Sequence, residues 1–468
     1  MKKKFLAVLS FVFMFALVLF GCSSIHLSNG PSSTDPVYGN GGSAVVKGDY
    51  LYFANAFIDY NLLNNGDNVY DKKSEFTPYA IYRTKLNSAG RVVLNDEGVP
   101  EKAELLTYNI GGYEYAGLYI FGNYLYYTTP YSNTTSSNET KRGRVRFERV
   151  ALDGTGHEIV YKADDYTSEC EYKMVYIDGN VFIVYKTKDK EIKLISVDAR
   201  KNVKTSSIAT SIESYAVFDQ KNIDKDNKVS DVNKYIYYVL KENDEYVMYR
   251  ANFFTKESEV FMRGGADEIV VKEVRNDRVY YTEGGKLYSR IDSNLVKKYS
   301  DISTASDSSS VSSISSYLVL DGTLGNLDRG VIGVLKNDSN YYVTYFNSTY
   351  SREIELSDDK SKDVTLIASQ ENHFFYQISG DDALYRCDLN FDVVSGVYRV
   401  ENYSTTKIAT KFSSTVSDKT MFDFDNDRIY VYEQVDNSIY SYLTMYMTNV
   451  DFAFKDGENL VGQYIGNK

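Results

Sequence analysis

The sequence predicts an all-β protein built from one repeated sheet unit, and three observations lead to this prediction. The chain has 45 Tyr and 24 Phe residues, no Trp and only 5 Pro. No segment after residue 22 shows the sustained apolar period that marks an amphipathic helix. Short runs of β-branched and aromatic residues recur along nearly the whole chain, and turn-forming Gly, Asn and Asp separate them.

The clearest copy of the unit is the stretch 276–294, with the sequence NDRVYYTEGGKLYSRIDSN. Residues 279–282 favour a strand, and Leu287 begins a second one. The pair Gly284-Gly285 between them suits a tight two-residue turn, because glycine adopts left-handed backbone conformations freely. This stretch therefore predicts a β-hairpin.

Aligning the chain on its aromatic strand gives eight copies, spaced by about 43 to 74 residues. One further strand precedes each aromatic strand and two more follow it, so the unit has four strands. The aromatic strands are DYLYF (49–53), NYLYY (123–127), NVFIVY (180–185), KYIYY (234–238), DRVYY (277–281), GVIGVL (330–335), HFFY (373–376) and DRIYVY (427–432).

Four strands per unit at this spacing are typical of β-propeller blades. The inner strands of a blade are covered on both faces and should be almost continuously apolar, as the run FIVY at 182–185 is. A pair of β-sandwiches would explain the strands but not the fourfold pattern. We therefore predict a β-propeller of eight four-stranded blades. Seven blades are the alternative, because the unit 301–359 is the least regular copy.

The N-terminus predicts membrane attachment. Lys2, Lys3 and Lys4 precede an uncharged run from Phe5 to Phe20, which is shorter than the roughly 20 residues that span a bilayer. The following Gly21-Cys22 completes a segment that resembles a bacterial lipoprotein signal. That resemblance implies cleavage before Cys22 and acylation of its thiol and amino group. An uncleaved membrane anchor is the alternative, and either arrangement places the body outside the cytoplasm at the cell membrane.

Two further properties, the composition of residues 23–41 and the net charge, limit how the mature chain can be organised and what it can bind. Residues 23–41 are rich in Ser, Gly, Asn and Pro, which predicts a flexible tether with a reach of roughly 25 Å ahead of a propeller domain at 42–468. The full chain carries a net charge of −12, and loss of the three N-terminal lysines makes it about −15. An acidic protein is poorly suited to phosphate backbones, so nucleic acid is not an expected partner.

Residues for catalysis or metal binding form no recognisable constellation. His26, His157 and His373 are far apart in the sequence, and we interpret them as structural. The acidic stretches 224–227 and 423–427 lack the Gly and the distal Glu of a calcium loop, so neither metal nor cofactor is expected. No G-x-S-x-G or phosphate-binding Gly-rich motif is present. A carbohydrate-active enzyme with acidic residues in the central funnel remains the alternative function.

The strand pairs also resemble a known family. The segments FERVALDG (147–154) and ALYRCDLN (383–390) are similar to the repeat of the low-density-lipoprotein-receptor type of propeller and its bacterial lipoprotein relatives. The resemblance covers roughly residues 42–466. Tyr127, Tyr238 and Tyr281 stand where that repeat has Trp. The resemblance implies a binding or scaffolding module for a protein, peptide or glycan, and it brings no catalytic residues.

Long insertions predict where a partner binds. The segments 55–79 and 129–144 both join strands two and three, in adjacent blades, and the Ser-rich run 301–313 joins two blades on the same face. Long loops on a rigid scaffold commonly carry recognition, and exposed aromatic rings are favoured anchors. The alternative is that these rings only fasten their own loops to the propeller rim. The candidate partner-binding residues are Phe57, Tyr60, Tyr70, Phe76, Tyr79 and Tyr131.

Besides Cys22, the chain has the cysteines Cys170 and Cys387. The repeat alignment places them in the third and seventh blades, which lie opposite each other in an eight-bladed ring. Their Cα atoms should then be far beyond the roughly 7 Å limit for a disulfide. We predict two free thiols.

Overall fold

A computed structural model of the chain gives the architecture. The residues that it describes are 27, 37–39, 44–54, 80–93, 96, 101, 103–110, 117–131, 144–166, 171–198, 200–218, 230–275, 277–291, 296–298, 313–320, 323–324, 327–337, 339–347, 349–370, 372–381, 383–409, 421–425, 428–436 and 441–449.

Within these residues, seven sheets each contain four consecutive antiparallel strands, and we number them as blades 1 to 7. Blade 1 consists of Ala44–Lys47, Tyr50–Ala54, Ala80–Lys85 and Glu104–Ile110, and blade 2 of Tyr119–Phe121, Tyr124–Tyr131, Arg144–Ala151 and Glu158–Tyr166. Blade 3 consists of Glu171–Ile177, Asn180–Lys186, Ile192–Val197 and Val203–Ala209, and blade 4 of Ile212–Ala216, Tyr235–Glu242, Glu245–Asn252 and Ser258–Arg263. Blade 5 consists of Ile269–Arg275, Arg278–Glu283, Lys286–Arg290 and Val296–Lys298. Blade 6 consists of Ser313–Val319, Val331–Asn337, Asn340–Phe346 and Ser351–Glu353, and blade 7 of Val364–Gln370, His373–Ile378, Leu384–Val394 and Val397–Ala409.

The remaining strands form three smaller features. Blade 6 carries a short hairpin, Thr323–Leu324 with Leu327–Asp328, between its first and second strands. A 3-10 turn, Val232–Lys234, precedes the second strand of blade 4. A last sheet has three described strands, Met421–Asp425, Arg428–Asp436 and Ser441–Asn449.

This topology confirms the predicted β-propeller of four-stranded blades. The first strands of neighbouring blades lie side by side, as in blades 4 and 5 and in blades 6 and 7. The first strand of blade 1 also lies beside Met421–Asp425, so the two ends of the array meet. Seven complete blades fit the seven-bladed alternative. The eighth predicted unit is the three-stranded sheet, and its predicted fourth strand at 459–465 lies outside the described residues.

Local sequence explains the tight hairpins. In blade 4 the second and third strands pair from Tyr235 with Asn252 to Glu242 with Glu245, which leaves Asn243 and Asp244 as a two-residue turn. Their φ angles are 48° and 67°, in the left-handed region that Asn and Asp tolerate better than most residues. In blade 5 the predicted turn is confirmed, with φ angles of 54° at Gly284 and 76° at Gly285.

The core lies between the blades. One buried cluster joins side chains of blades 3, 4 and 5, another joins blades 6 and 7, and a third joins blades 1 and 2. Three tyrosines at the same repeat position of their second strands are all buried, as the near-continuous apolar character of those strands predicts. These tyrosines are Tyr127, Tyr238 and Tyr281.

Antiparallel order gives the ring two distinct faces. The turns between strands one and two and between strands three and four emerge on one side, which we call the turn face. In blade 2 these are Gly122-Asn123 and the segment 152–157. The connections between strands two and three, together with those between successive blades, emerge on the opposite side, which we call the loop face.

The predicted tether 23–41 differs from the structure at two points. Residues Val37–Gly39 form a strand that adds to blade 2 as a fifth strand, antiparallel to Tyr119–Phe121. We call it the N-terminal strand. Leu27 packs against the apolar cluster between blades 1 and 2, and its N–H donates a hydrogen bond of 2.8 Å to the carbonyl of Asp153. Parts of the tether are therefore held against the propeller.

Two other expectations can be compared with the structure. Cys387 is a free thiol, fully buried in the third strand of blade 7, whereas Cys170 lies outside the described residues. Burial, with the neighbouring Asp388 charge, raises the pKa of the Cys387 thiol to about 12. Across the described residues, no helix has the length and apolar character needed to cross a membrane.

Candidate binding site at the first two blades

Both long insertions begin and end on the loop face of neighbouring blades. In blade 1, Ala54 pairs with Ile81 where the segment 55–79 leaves the sheet. In blade 2, Tyr131 pairs with Arg144 at the root of the second insertion. Of the six candidate partner-binding residues, only Tyr131 lies within the described residues, as the last residue of the strand Tyr124–Tyr131. The others, Phe57, Tyr60, Tyr70, Phe76 and Tyr79, lie outside the described residues.

Three blades, among them the two that carry these roots, share a polar motif across strands two, three and four. A tyrosine pairs with an arginine, and that arginine pairs in turn with a glutamate. Each guanidinium Nε lies 2.7 to 2.9 Å from the carboxylate of its glutamate. The three sets are Tyr52, Arg83 and Glu104 in blade 1, Tyr126, Arg149 and Glu158 in blade 2, and Tyr237, Arg250 and Glu259 in blade 4.

In blade 1 this motif also joins two blades. The Arg83 side chain is fully buried, and its guanidinium carbon lies 4.3 Å from the centre of the Tyr50 ring. One of its terminal nitrogens donates a hydrogen bond of 3.2 Å to the carbonyl of Leu152 in blade 2. A buried arginine needs such partners, because an uncompensated charge in the interior is strongly unfavourable. Arg83 therefore fixes the position of blade 1 relative to blade 2.

Blade 2 departs from its neighbours at one repeat position. In four blades an aromatic residue of strand two faces a tyrosine of strand three, with ring centres 5.4 to 6.3 Å apart. In blade 2 the residue opposite Tyr127 is Glu148, and its side chain is fully buried. The aromatic pairs are Phe53 with Tyr82, Tyr238 with Tyr249, Tyr281 with Tyr288 and Tyr376 with Tyr385.

Glu148 is held by three polar side chains. The Tyr127 hydroxyl donates a hydrogen bond of 2.7 Å to its Oε2, and Nε2 of His157 lies 2.6 Å from the same oxygen. Arg146 forms an ion pair with Oε1. Burial raises the pKa of Glu148, but the hydrogen bonds from His157 and Tyr127 and the charge of Arg146 together hold this pKa below its ordinary value of 4.5. Glu148 is therefore a carboxylate at neutral pH.

The surroundings of Glu148 fit a structural role better than a catalytic one. A fully buried carboxylate that is already bound by three partners is not accessible to a substrate. Tyr127 and Glu148 each lie four residues from the last pair of their strands, Tyr131 and Arg144. At about 3.3 Å per residue, the cluster is roughly 13 Å below the loop root. It therefore stiffens the scaffold from which the second insertion projects.

The enzyme alternative needs an acidic pair in the funnel, and the described first strands of blades 3, 4 and 5 each carry one glutamate. Glu171 forms an ion pair with Lys186, and Glu213 forms one with Lys190. Glu273 of blade 5 forms a hydrogen bond with Tyr317 of blade 6. Burial of the Tyr317 hydroxyl is the larger cause of its raised pKa, and the Glu273 charge and hydrogen bond raise this pKa further. Each of these three carboxylates thus has a partner close by.

Among the described residues, no group of three or more His, Cys, Asp or Glu side chains is placed to hold a metal ion. His157 belongs to the Glu148 cluster, and His373 packs its ring edge-on to Phe375 with centres 5.4 Å apart. The acidic stretch 224–227 lies outside the described residues, as do positions 426–427 of the second stretch. His157 and His373 thus each contact neighbouring side chains, and His26 lies outside the described residues.

The sequence reasoning missed the Glu148 cluster and the N-terminal strand. Glu148 lies inside the repeat segment FERVALDG (147–154), so the sequence did carry a sign of this departure from the repeat. Comparing the residues opposite the aromatic strand would have shown a charge where four other copies have a tyrosine ring. The N-terminal strand had no such signal, because three residues carry no period.

No protein-family model matches the chain, and no curated protein sequence matches it. Solved structures with a similar arrangement include TolB from Acinetobacter baumannii, at 13% identity and a TM-score of 0.29, matched over 54% of this chain and 60% of that one. The chain thus spans less than two thirds of that structure. The β-propeller domain of the Trilobed protease from Pyrococcus furiosus has 8% identity and a TM-score of 0.38, over 74% and 96% of the two chains.

A structure from the Nidogen/Laminin complex has 7% identity and a TM-score of 0.27, over 66% of this chain and 94% of that one. Likeness at these identities concerns the fold alone. The assignment of this chain as a β-propeller rests on its own sheet topology, seven described sheets of four consecutive antiparallel strands with first strands side by side.

Proposed function

We propose that the chain is a lipid-anchored extracytoplasmic propeller that binds a protein, peptide or glycan partner through the loop face of blades 1 and 2. The observation that carries this proposal is the placement of the two loop roots. They emerge side by side from neighbouring blades. Rigid scaffolds that present adjacent long loops are a common arrangement for recognition.

The contacts between blades 1 and 2 support the proposal. Lys47 of blade 1 is almost fully buried and donates a hydrogen bond to the carbonyl of Gly122 in blade 2. Arg83 reaches the carbonyl of Leu152 across the same boundary. These contacts join the turn-face ends of the two blades that carry the roots. They limit relative movement of the blades, and so the ordering entropy that a partner must overcome on binding.

The first prediction tests the loop of blade 1. Replacing residues 60–74 by a short Gly-Ser turn should leave the propeller folded, because Ala54 and Ile81 keep their pairing outside the deletion. The shortened lipoprotein should lose capture of its envelope partner. The measurement is crosslinking in intact cells, followed by identification of the crosslinked species by mass spectrometry in parent and variant.

A matched control alters the opposite face. Replacing the exposed tip of the blade 7 hairpin, residues 392–396, by Gly and Ser changes the turn face and leaves the loop face intact. This variant should capture the partner as the parent does. If the variant shortened at 60–74 captures the partner equally well, recognition does not use this loop.

A further inference from the structure

We infer that the turn face of the propeller rests against the lipid surface and that the loop face points away from it. This inference rests on the proposed acylation of Cys22. It adds the orientation of the body and identifies the turn face as a second interaction surface, with the membrane lipid as its partner.

The first support is the point where the N-terminal segment meets the propeller. Leu27 bonds to the carbonyl of Asp153, which lies in the turn between strands three and four of blade 2. Its side chain packs on the cluster that contains Val150 and Leu152. Turns between strands three and four belong to the turn face. The described contact that lies nearest in sequence to the predicted lipid attachment is therefore on that face.

The N-terminal strand agrees with this direction. It is antiparallel to Tyr119–Phe121, and Val37 lies opposite Phe121, next to the Gly122-Asn123 turn of the turn face. The chain therefore enters the ring from the turn face and runs toward the loop face. It then returns as the first strand of blade 1.

Chain length makes the alternative orientation difficult. Leu27 is the fifth residue after Cys22, and a fully extended chain spans at most about 17 Å over five residue steps. The second strand of blade 4 has 8 residues, so the propeller is about 26 Å thick there. An acyl chain on Cys22 reaches lipid beside the turn face, but the segment is too short to pass around to the loop face.

Exposed apolar side chains give independent support. Large hydrophobic residues scattered singly over a surface are normal, so their distribution is the informative property. Among the described residues, those with 37% to 47% exposure lie in a turn between strands three and four, at the last two residues of a third strand, or within the first three residues of a fourth strand. All three positions belong to the turn-face half. These residues are Ile159, Val203, Phe254, Val260, Val393 and Val394.

Charge on this face is compatible with a lipid surface. The turns of blades 3 and 4 carry the cations Arg200, Lys201 and Lys256 and the carboxylates Asp198 and Glu257. The second residue of the fourth strand is Lys204 in blade 3 and Glu259 in blade 4. An overall net charge of −12 would otherwise oppose contact with anionic lipids. Phe254 stands among these cations, a combination that interfacial contacts commonly use.

The second prediction compares two labels on opposite faces of one blade. Glu245 begins the third strand of blade 4 on the loop face, and Glu257 lies in the turn after that strand. Both are exposed, and they are roughly 24 Å apart along the strand. Purified full-length acylated protein with Glu245→Cys or Glu257→Cys is labelled with a fluorophore. It is then placed in phosphatidylethanolamine–phosphatidylglycerol vesicles that contain a headgroup nitroxide lipid.

We expect several-fold stronger quenching at Glu257 than at Glu245, and a label at Val394→Cys on blade 7 should be quenched like Glu257. Equal or stronger quenching at Glu245 would overturn the orientation, and no quenching at Val394 would show that the turn face does not lie flat on lipid. The parent protein, carried through the same labelling, gives the background. The Cys22→Ser variant tests the anchor separately: normal processing and acylation of that variant would refute the proposed lipid attachment itself.

Discussion

Glu148 shows how a single side chain can distinguish one blade from its neighbours. A buried carboxylate costs free energy unless its oxygens are satisfied, and here Tyr127, His157 and Arg146 satisfy them. The equivalent tyrosines in other blades need no such arrangement, because ring stacking fills the same space. The polar cluster restricts the side chains of blade 2 to one geometry directly below a loop root.

The third prediction concerns the pH dependence of folding. The pKa of Glu148 is lower in the folded protein than the ordinary 4.5, so the unfolded chain binds the proton more tightly. Its contribution to the free energy of unfolding is therefore complete above pH 4.5 and is lost as the pH falls through the folded-state pKa. Urea denaturation of the parent and of Glu148→Gln at several pH values between 7 and 3 measures it.

The stability difference between parent and Glu148→Gln should shrink as the pH decreases below about 4.5. Tyr127→Phe is a suitable comparison, because it removes one donor and keeps the carboxylate and the ring. A difference that stays constant from pH 7 to 3 would mean that Glu148 is not held as a carboxylate.

At the residue scale, the sequence was informative where residues repeat. Tyr127, Tyr238 and Tyr281 were identified from their repeat position, and all are buried. Glu148 was not identified, because one residue that departs from a degenerate repeat resembles ordinary variation. Only its surroundings show that the departure creates a buried ionic cluster.

At the scale of elements, the N-terminal strand is the main addition to the predicted arrangement. Val37 and Tyr38 favour a strand, but three residues are too few to predict one, and the strand forms where they meet the edge of blade 2. Pairing also covers an otherwise open sheet edge, which proteins commonly protect. A composition rich in Ser, Gly and Asn predicts a tether but does not show that parts of it dock on the propeller.

The fourth prediction tests this element. The double variant Val37→Pro/Tyr38→Pro removes two backbone donors and should disrupt pairing with Tyr119–Phe121. Loss of one or two backbone hydrogen bonds, at about 1 kcal/mol each, should make cleavage within 27–41 roughly 10-fold faster. Limited proteolysis with mass spectrometric mapping of the cut sites measures the rate.

Ser33→Pro is the control, since it lies outside the N-terminal strand and should leave the cleavage rate near that of the parent. The blades themselves should stay resistant in all three proteins. Equal cleavage of parent and double variant would show that the strand contributes no protection in solution.

At the scale of the whole molecule, repetition was the property that the sequence predicted best. Turn residues such as Asn243 and Gly284, and buried second strands, recur because every blade meets the same packing problem. The number of blades was harder to predict, because irregular units differ from the repeat by insertions and lost side chains. Blade 6 illustrates this with its extra hairpin and its Val334–Val343 pair in place of two rings.

The fifth prediction follows from the ring. Cys387 is buried between blades 6 and 7, and Cys170 directly precedes the first strand of blade 3 in the sequence. The two should therefore be too far apart to bond. Alkylation of the denatured, unreduced protein should modify both. In the folded protein Cys387 should react far more slowly, because it is buried and its pKa of about 12 leaves little thiolate.

The order of strands within each blade also affects how the protein forms. Blade 1 takes its four strands from the single stretch Ala44–Ile110, so no strand from the far end of the chain completes it. During synthesis at about 5 to 20 residues per second, that stretch is finished within roughly 3 to 13 s. Each described blade can thus complete its backbone pairing in the order in which it is made. A chain shortened at its C-terminus would keep the hydrogen-bonded sheets of its earlier blades.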